Sequence, residues 1–380
     1  MRFRAALGGL ALAFTPGFIV ANIGAVADRT AHAYGVGLAV VGLFTTALFV
    51  THAAFQIPAG RLCDRFGARI VGGTGLAVVA VASASALLWR EAAFAIAMRL
   101  VAGVGTAGSF VAGSDYIRST IGTPVAQGAY GAVSVAAGGL ALALVPLWGT
   151  WSAPFAAASL VAAFGVVLVA LAPRGVRVPR RAAVAGVFER RLLPLAIWHS
   201  ASFGLSVVVA NWIVTLLERA GGLSDHFAGV AGGLVLAVGI VSRPLGGRFI
   251  DRPSVVQWSF VVGGAAVALM TAVSALPPAV LVCAVAGFAA GIPFAPSFAG
   301  AQRMRPDAPA AATGAVNMAA AATILLGTPL LGLAFSLPGD GRLGFAVLAV
   351  LWAAAALTRP HTLIEPVPGC PGSDPGQTRV

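Results

Sequence analysis

Apolar runs of nearly constant length, separated by short polar gaps, organise this chain from end to end. Twelve stand out: 5–27, 37–59, 70–89, 93–114, 125–147, 152–172, 193–216, 226–246, 255–275, 279–301, 311–333 and 341–358. About twenty apolar residues in a helix cross the hydrocarbon of a bilayer. The pattern therefore predicts twelve membrane-crossing helices, numbered here as spans 1–12. Gly and Pro interrupt several of them, which a membrane helix tolerates when neighbouring helices or water satisfy the freed backbone groups. The longest polar gap, PRGVRVPRRAAVAGVFERRL at 173–192, holds six arginines and one glutamate. It divides the chain into an N-terminal six-span bundle (1–172) and a C-terminal one (193–358). A short Pro/Gly-rich tail (359–380), expected to be disordered, follows. The predicted class is an all-α polytopic membrane protein built as two six-helix bundles.

Composition closes off other classes. Of 380 residues, 59% are hydrophobic and 9% charged, and the mean hydropathy is +0.93. A soluble domain carries about 25% charged residues. The net charge of +12 would suggest a nucleic-acid partner if the basic residues formed a stripe or an arm. They sit instead in the gaps between apolar runs, and all 24 are Arg, so no nucleic-acid partner is expected. Cys63, Cys283 and Cys370 have neither metal nor disulfide spacing. The chain has no phosphate-binding Gly-rich loop and no Lys, which argues against ATP drive. No Cys/His or Asp/His cluster supplies a nucleophile, a base or a metal site at membrane depth, so neither enzymatic activity nor a cofactor is expected. The start, MRFRAALGGLALAF, with Ala31-His32-Ala33 downstream, resembles a signal peptide and its cleavage site. Its apolar stretch is too long for a typical secretory signal and another span follows at once, so it is read as span 1.

Arginine placement orients the bundle, because loops facing the cytoplasm are enriched in positive charge. With the N-terminus inside, nineteen arginines fall on the cytoplasmic side and four on the outer side, which leaves Arg99 inside span 4. Arg243 and Arg342 lie within span ends and are expected to reach the nearer surface along their flexible stems. Both termini are thus expected in the cytoplasm, and the expected location is the bacterial inner membrane.

The two halves repeat one another. GRLCDR at Gly60–Arg65 aligns with GRFIDR at Gly247–Arg252, an offset of 247 − 60 = 187 residues. GAVSVAA at 131–137 aligns with GAVNMAA at 314–320, an offset of 183, which also puts Pro146 on Pro329 and Gly149 on Gly332. Span 2 therefore matches span 8, and span 5 matches span 11. Such parallel repeats are related by an axis along the membrane normal.

These residues carry a family resemblance. Twelve spans in a 6+6 repeat, with Gly60, Leu62, Asp64, Arg65, Gly67 and Arg69 between spans 2 and 3, resemble the major facilitator superfamily and its motif A. The second copy keeps Gly247, Arg248, Asp251 and Arg252 but has Pro253 where the motif has an apolar residue, and it lacks the later Gly and Arg. Arg99, Gly103 and Gly105 in span 4 resemble motif B, except that Ala102 stands where Gln is common. Span 5 has Ser134-Val135 where the drug-antiporter members have Gly-Pro. The resemblance implies a secondary transporter that moves a small solute by alternating access of its halves, with a proton as a possible co-substrate. A transporter-like sensor that no longer moves solute is the alternative. The protein is expected to act as a monomer in the lipid bilayer.

Candidate roles follow from residue chemistry. Gly60 would allow a tight turn and close backbone approach at the membrane face. Asp64 beside Arg65 and Arg69 could form charge-assisted hydrogen bonds that latch one arrangement of the halves. Asp115 is a candidate partner for those arginines. A charge at the depth of Arg99 is costly and usually faces a cavity or a partner, though snorkelling to the outer surface is also open. By resemblance, an arginine at this motif B position is associated with proton coupling. His52, Gln56, His199, Asn22, Asn211 and Asn317 are polar groups at membrane depth, each either lining a pathway or satisfied in the core. With no acid at mid-depth and no second deeply placed Arg, the expected solute is neutral, singly charged or amphipathic.

Overall fold

The computed structural model describes residues 2–174 and 189–360. The expected linker (173–192) lies largely outside these residues, and the expected tail (359–380) almost entirely. Among the described residues, eleven helices are long and apolar enough to cross a membrane, and the shorter Arg342–Leu357 makes the twelfth span. The face that carries the N-terminal arginines is called the inner face below.

Local chemistry explains several span boundaries. Spans 5, 9 and 11 each start at the inner face with proline, at Pro124, Pro253 and Pro309. Proline at the first helical position loses only an N–H that has no partner there in any case. Span 2 (Leu38–Phe66) runs straight through the motif segment, which the sequence pattern assigned to a loop. The turn into span 3 (Ala68–Ser85) is confined to Gly67, whose φ of +92° only glycine adopts without strain. Gly60 is thus an interior helical residue, and its expected role in a turn is not what the fold uses. Close approach is. A Cβ on Gly60 would lie 2.6 Å from the Ala310 carbonyl oxygen of span 11.

Span 4 is one unbroken helix, Ala92–Thr120. In the C-terminal half, three spans are interrupted near mid-membrane. Span 7 passes from Leu193–His199 through a π-helical turn at Ser200–Leu205 into Ser206–Arg219. Span 8 breaks at Val238 between Asp225–Ala237 and Gly239–Gly246. Span 10 breaks at Ile292-Pro293, between Leu276–Gly291 and Phe294–Met304. Spans 3, 6, 9 and 12 form the outer ring and expose Val81, Phe164, Trp258 and Val350, an arrangement that lipid rather than water accommodates.

The halves meet along spans 2 and 11 on one side and spans 5 and 8 on the other. Glycine makes both seams close. Gly314 faces the Gln56 backbone, with a virtual Cβ 2.9 Å from its carbonyl carbon. Gly128 faces the Arg243 carbonyl in the same way, 2.6 Å from Pro244 Cα. Gly247 meets Pro124, 2.6 Å from its oxygen. Small residues are what allow membrane helices to approach this closely.

Candidate functional site

Two polar regions join the halves. The first lies at the inner face. The Asp64 carboxylate accepts the backbone N–H groups of Ala310 (3.1 Å) and Ala311 (3.0 Å), at the start of span 11. That helix needs an outside acceptor, since its N-cap position is Ala308, which has no side-chain acceptor. A carboxylate there also meets the positive end of the helix dipole. Arg65 is exposed with its guanidinium 5.2 Å from the Phe66 ring, and Arg69 donates to the Ala170 carbonyl of span 6. Asp115 pairs with Arg118 on its own helix, at 2.8 Å to Nε and 2.7 Å to Nη2. Asp64, Arg65, Arg69, Asp115 and Arg118 all line one inner-face cavity of about 1080 Å³.

In the second motif copy, Asp251 accepts from Arg303 at 2.9 Å on the surface, and Arg248 and Arg252 are exposed. Beside these lies Arg305, which grips Asp307 with two bonds of 2.9 and 2.8 Å and donates to Glu189 at 3.2 Å. The Arg305 hydrogen bonds hold the Asp307 carboxyl below the usual carboxylate range.

Just above Asp64, a buried network crosses between the halves that sequence reasoning missed. Gln127 Nε2 donates to the Ser114 carbonyl (2.8 Å) and to Gln302 Oε1 (3.2 Å). Gln302 Nε2 donates to Ser114 Oγ (3.0 Å) and Thr313 Oγ1 (3.1 Å). Ser114 Oγ donates to Gln127 Oε1 at 3.1 Å, and Thr313 Oγ1 to the Pro309 carbonyl at 3.0 Å. Every amide hydrogen of the two glutamines is used, which is the condition for such a network to be stable inside a membrane.

The second region is at mid-membrane. On the N-terminal side, Gln56 Nε2 lies 2.6 Å from His52 Nε2, His52 Nδ1 lies 2.9 Å from Thr106 Oγ1, and Thr106 donates to the Gly103 carbonyl at 2.9 Å. One direction satisfies the whole chain: Gln56 donates to His52, and His52 donates to Thr106. On the C-terminal side, His199 Nε2 and Asn317 Oδ1 are 3.1 Å apart, so the imidazole donates there. Two atoms of this region have no hydrogen-bond partner among the described residues: Gln56 Oε1 and His199 Nδ1, each on a fully buried residue. An aromatic series links the sides: Phe110 touches Tyr130 (5.4 Å between centroids) and Phe298 (6.1 Å). Phe298 contacts Phe294 (4.8 Å) and His199 (4.6 Å).

Arg243 overturns an expectation. It does not reach the inner surface; it is 4% exposed, donates to the Gly131 carbonyl at 2.8 Å, and lies over the rings of Phe294 (4.6 Å) and Phe203 (5.4 Å). Helical side chains lean toward the N-terminus of their helix. Span 8 starts at the outer face, so this lean carries Arg243 away from the inner surface and toward mid-membrane. A second arginine is therefore buried at depth, contrary to the sequence reading.

Arg99 is 3% exposed and does not snorkel. Each nitrogen of its guanidinium is engaged within the N-terminal half, donating to Phe44 O (3.1 Å), Asn22 Oδ1 (3.4 Å) and Ile19 O (2.9 Å). Asn22 also donates to the Pro154 carbonyl at 2.7 Å, so this pair bolts spans 1, 2, 4 and 6 together. Asn211 is exposed and donates to Thr328 Oγ1 at 3.2 Å, away from the His199 group.

One sequence signal could have located the aromatic bridge. Ser109-Phe110 and Ser297-Phe298 are a further copy of the internal repeat, offset by 298 − 110 = 188 residues.

Two six-helix bundles, joined along glycine-lined seams around a buried polar centre, define a transporter-type membrane fold. A family model described as Major Facilitator Superfamily matches residues 9–328. The chain belongs to that superfamily of transporters. Among solved structures it is similar to the transporter FucP in its outward conformation, at 13% identity and a TM-score of 0.73, covering 93% of this chain and 97% of that one. A variant of the E. coli fucose:proton symporter FucP gives 13% identity and a TM-score of 0.71 over the same shares. The human organic anion transporter MFSD10 (TETRAN) gives 20% identity and a TM-score of 0.64, covering 94% and 98%. No curated protein sequence matches.

Proposed function

We propose that the protein is a secondary active transporter, moving a small solute by alternating access with the inner face on the cytoplasmic side. The observation that carries this reading is the inner closure. The bonds from the start of span 11 to Asp64 of span 2 and the Gln127–Gln302 pair are polar contacts between halves that otherwise meet mainly through apolar and glycine surfaces. Contacts of this kind can be released to water without leaving a buried group unpaired, which a reversible latch requires. In this reading Gly60, Asp64, Gly67 and Gly247 belong to the closure, and Arg99 with Asn22 keeps the N-terminal half rigid while it rocks. Coupling to protons is assigned to His52 and His199, since histidine is the side chain that ordinarily titrates near neutrality. Their positions on opposite sides of the aromatic bridge support this assignment.

The test is a reversible lock. Cysteines replacing Gln127 and Gln302 should form a disulfide under mild oxidation that stops uptake into proteoliposomes, and reduction should restore it. Uptake is measured with a broad panel of radiolabelled solutes, with and without an imposed pH gradient. Uptake unaffected by a demonstrated crosslink would refute alternating access at this closure. Failure of every solute in folded, reconstituted protein would count against transport itself.

A further inference from the structure

The 187-residue offset that puts Gly60 on Gly247 also puts Gln56 on Arg243 (243 − 56 = 187). The structure honours this equivalence, with the Gln56 backbone seated on Gly314 and that of Arg243 on Gly128. Both side chains are buried at the seam between the halves, and both have unused hydrogen-bonding capacity. Gln56 Oε1 has no partner. Arg243 has one protein acceptor, Gly131 O, for five N–H donors, and takes part in none of the ion pairs among the described residues.

The contrast with Arg99 makes this unusual. A buried guanidinium is costly unless charges or dipoles compensate it. Arg99 has three oxygen acceptors from two spans. Arg243 has one, plus the faces of Phe203 and Phe294, which favour a cation but offer no lone pair. His199 closes the same cluster, 5.4 Å from the Phe294 ring, with Nδ1 free to accept. The depth also fits. Phe294 lies ten residues, about 15 Å, from the inner end of span 10. The three helix interruptions of the C-terminal half, including the π-turn at Ser200–Leu205, fall beside this cluster. Interrupted helices in membranes occur where the backbone borders a binding site or a cavity.

We infer that the centre binds an organic monoanion: a carboxylate held by Arg243, a compact apolar or aromatic body against Phe294, Phe298 and Phe110, and a hydrogen-bond donor received by His199 Nδ1 or Gln56 Oε1. One buried arginine without an acidic neighbour matches a single carboxylate. A second charge on the ligand would have no counterpart among the described residues of the cluster. The inference rests on the transporter reading for entry and exit of the anion, but binding can be measured without flux.

The experiment uses purified full-length protein in detergent and paired probes: benzoate with benzamide, and mandelate with mandelamide. Binding is read by calorimetry and by the shift in thermal unfolding, in gluconate and in chloride buffers. Each carboxylate should bind the wild-type protein at least about thirtyfold more tightly than its amide, in line with loss of a buried charge pair. Mandelate, which adds a hydroxyl, should bind more tightly than benzoate. Arg243→Gln should abolish the carboxylate preference while leaving the weak amide affinities in place, and Arg243→Lys should retain part of it. Equal binding of carboxylates and amides to wild-type protein, or no binding of either carboxylate, overturns the inference without touching the transporter reading. The same holds if chloride alone occupies the site as tightly as the carboxylates do. Carboxylate binding without any uptake would leave the inference standing and refute transport.

Discussion

The two copies of Gly-Arg-x-x-Asp-Arg occupy equivalent places and do different things. Gly60 and Gly247 both bring a helix end of the opposite half within backbone contact. Asp64 crosses the seam to Ala310 and Ala311, whereas Asp251 stays on its own half with Arg303, its side chain 72% exposed. The helices they face explain the difference. Span 5 caps itself, Thr123 Oγ1 accepting the Ala126 N–H at 3.2 Å. Span 11 begins after Ala308 and borrows its acceptor from the other half. Duplication preserved the steric half of the motif on both sides and left the electrostatic half on one. The inner-face contact between the halves is therefore lopsided, glycine-lined along both seams but bonded through a carboxylate along one.

Substitutions can break or sharpen that comparison. The steric half should be symmetric: Gly60→Val and Gly247→Val each drive a side chain into backbone, so both should abolish uptake in vesicles and lower expression. Normal uptake by either one would end the claim of equivalent seams. Next in size, Arg99→Gln strands acceptors within the N-terminal half and removes a buried charge, at a cost of about 3 kcal/mol. It should show as a large fall in the thermal unfolding temperature of purified protein. Arg243→Gln, with fewer partners to strand, should fall less.

The electrostatic half should be asymmetric. Asp64→Asn weakens a carboxylate at a helix N-terminus, an interaction of up to about 2 kcal/mol, so initial uptake should drop about tenfold at unchanged membrane insertion. Asp251→Asn should stay within about twofold, as expected of an exposed pair. Installing a cap sharpens the point. Ala308→Ser gives span 11 its own acceptor, worth about 1 kcal/mol, and should recover part of the Asp64→Asn loss. Absence of any recovery would mean that the carboxylate does more than cap.

The smallest effect concerns Asp307. Arg305 depresses its carboxyl, so the ion pair is intact above the ordinary carboxylate range and is lost only as the pH falls through the depressed value. Uptake by Asp307→Asn relative to wild type should therefore be flat between about pH 5 and 8, with a deficit below about 1 kcal/mol in stability.

Much of this was legible in the sequence. Length and recurrence of apolar runs locate the spans, because a bilayer imposes one helix length; the repeat and the arginine pattern supply the pairing of halves. Asp64 was identified, but its partners were not, because a backbone N–H has no side-chain signature; Asp115, read as a partner for the motif arginines, pairs with Arg118 on its own helix. Arg243 was misjudged because its short distance from the inner surface outweighed the outward lean of its Cβ. Gln127 and Gln302 looked ordinary because amides near a span end are equally at home in water. Only their meeting across the seam, set by helix packing, makes them a network.

That network sets where acidity can act. Its members are two carboxamides, two hydroxyls and backbone carbonyls, none of which gains or loses a proton near neutrality. Asp64, the charged part of the seal, accepts two backbone N–H groups at the start of span 11. The uncharged part of the inner seal should therefore have the same strength at pH 6 as at pH 8. An acid dependence of turnover would then point deeper, to the imidazoles of the centre, and would follow the pH of the compartment to which that centre is open.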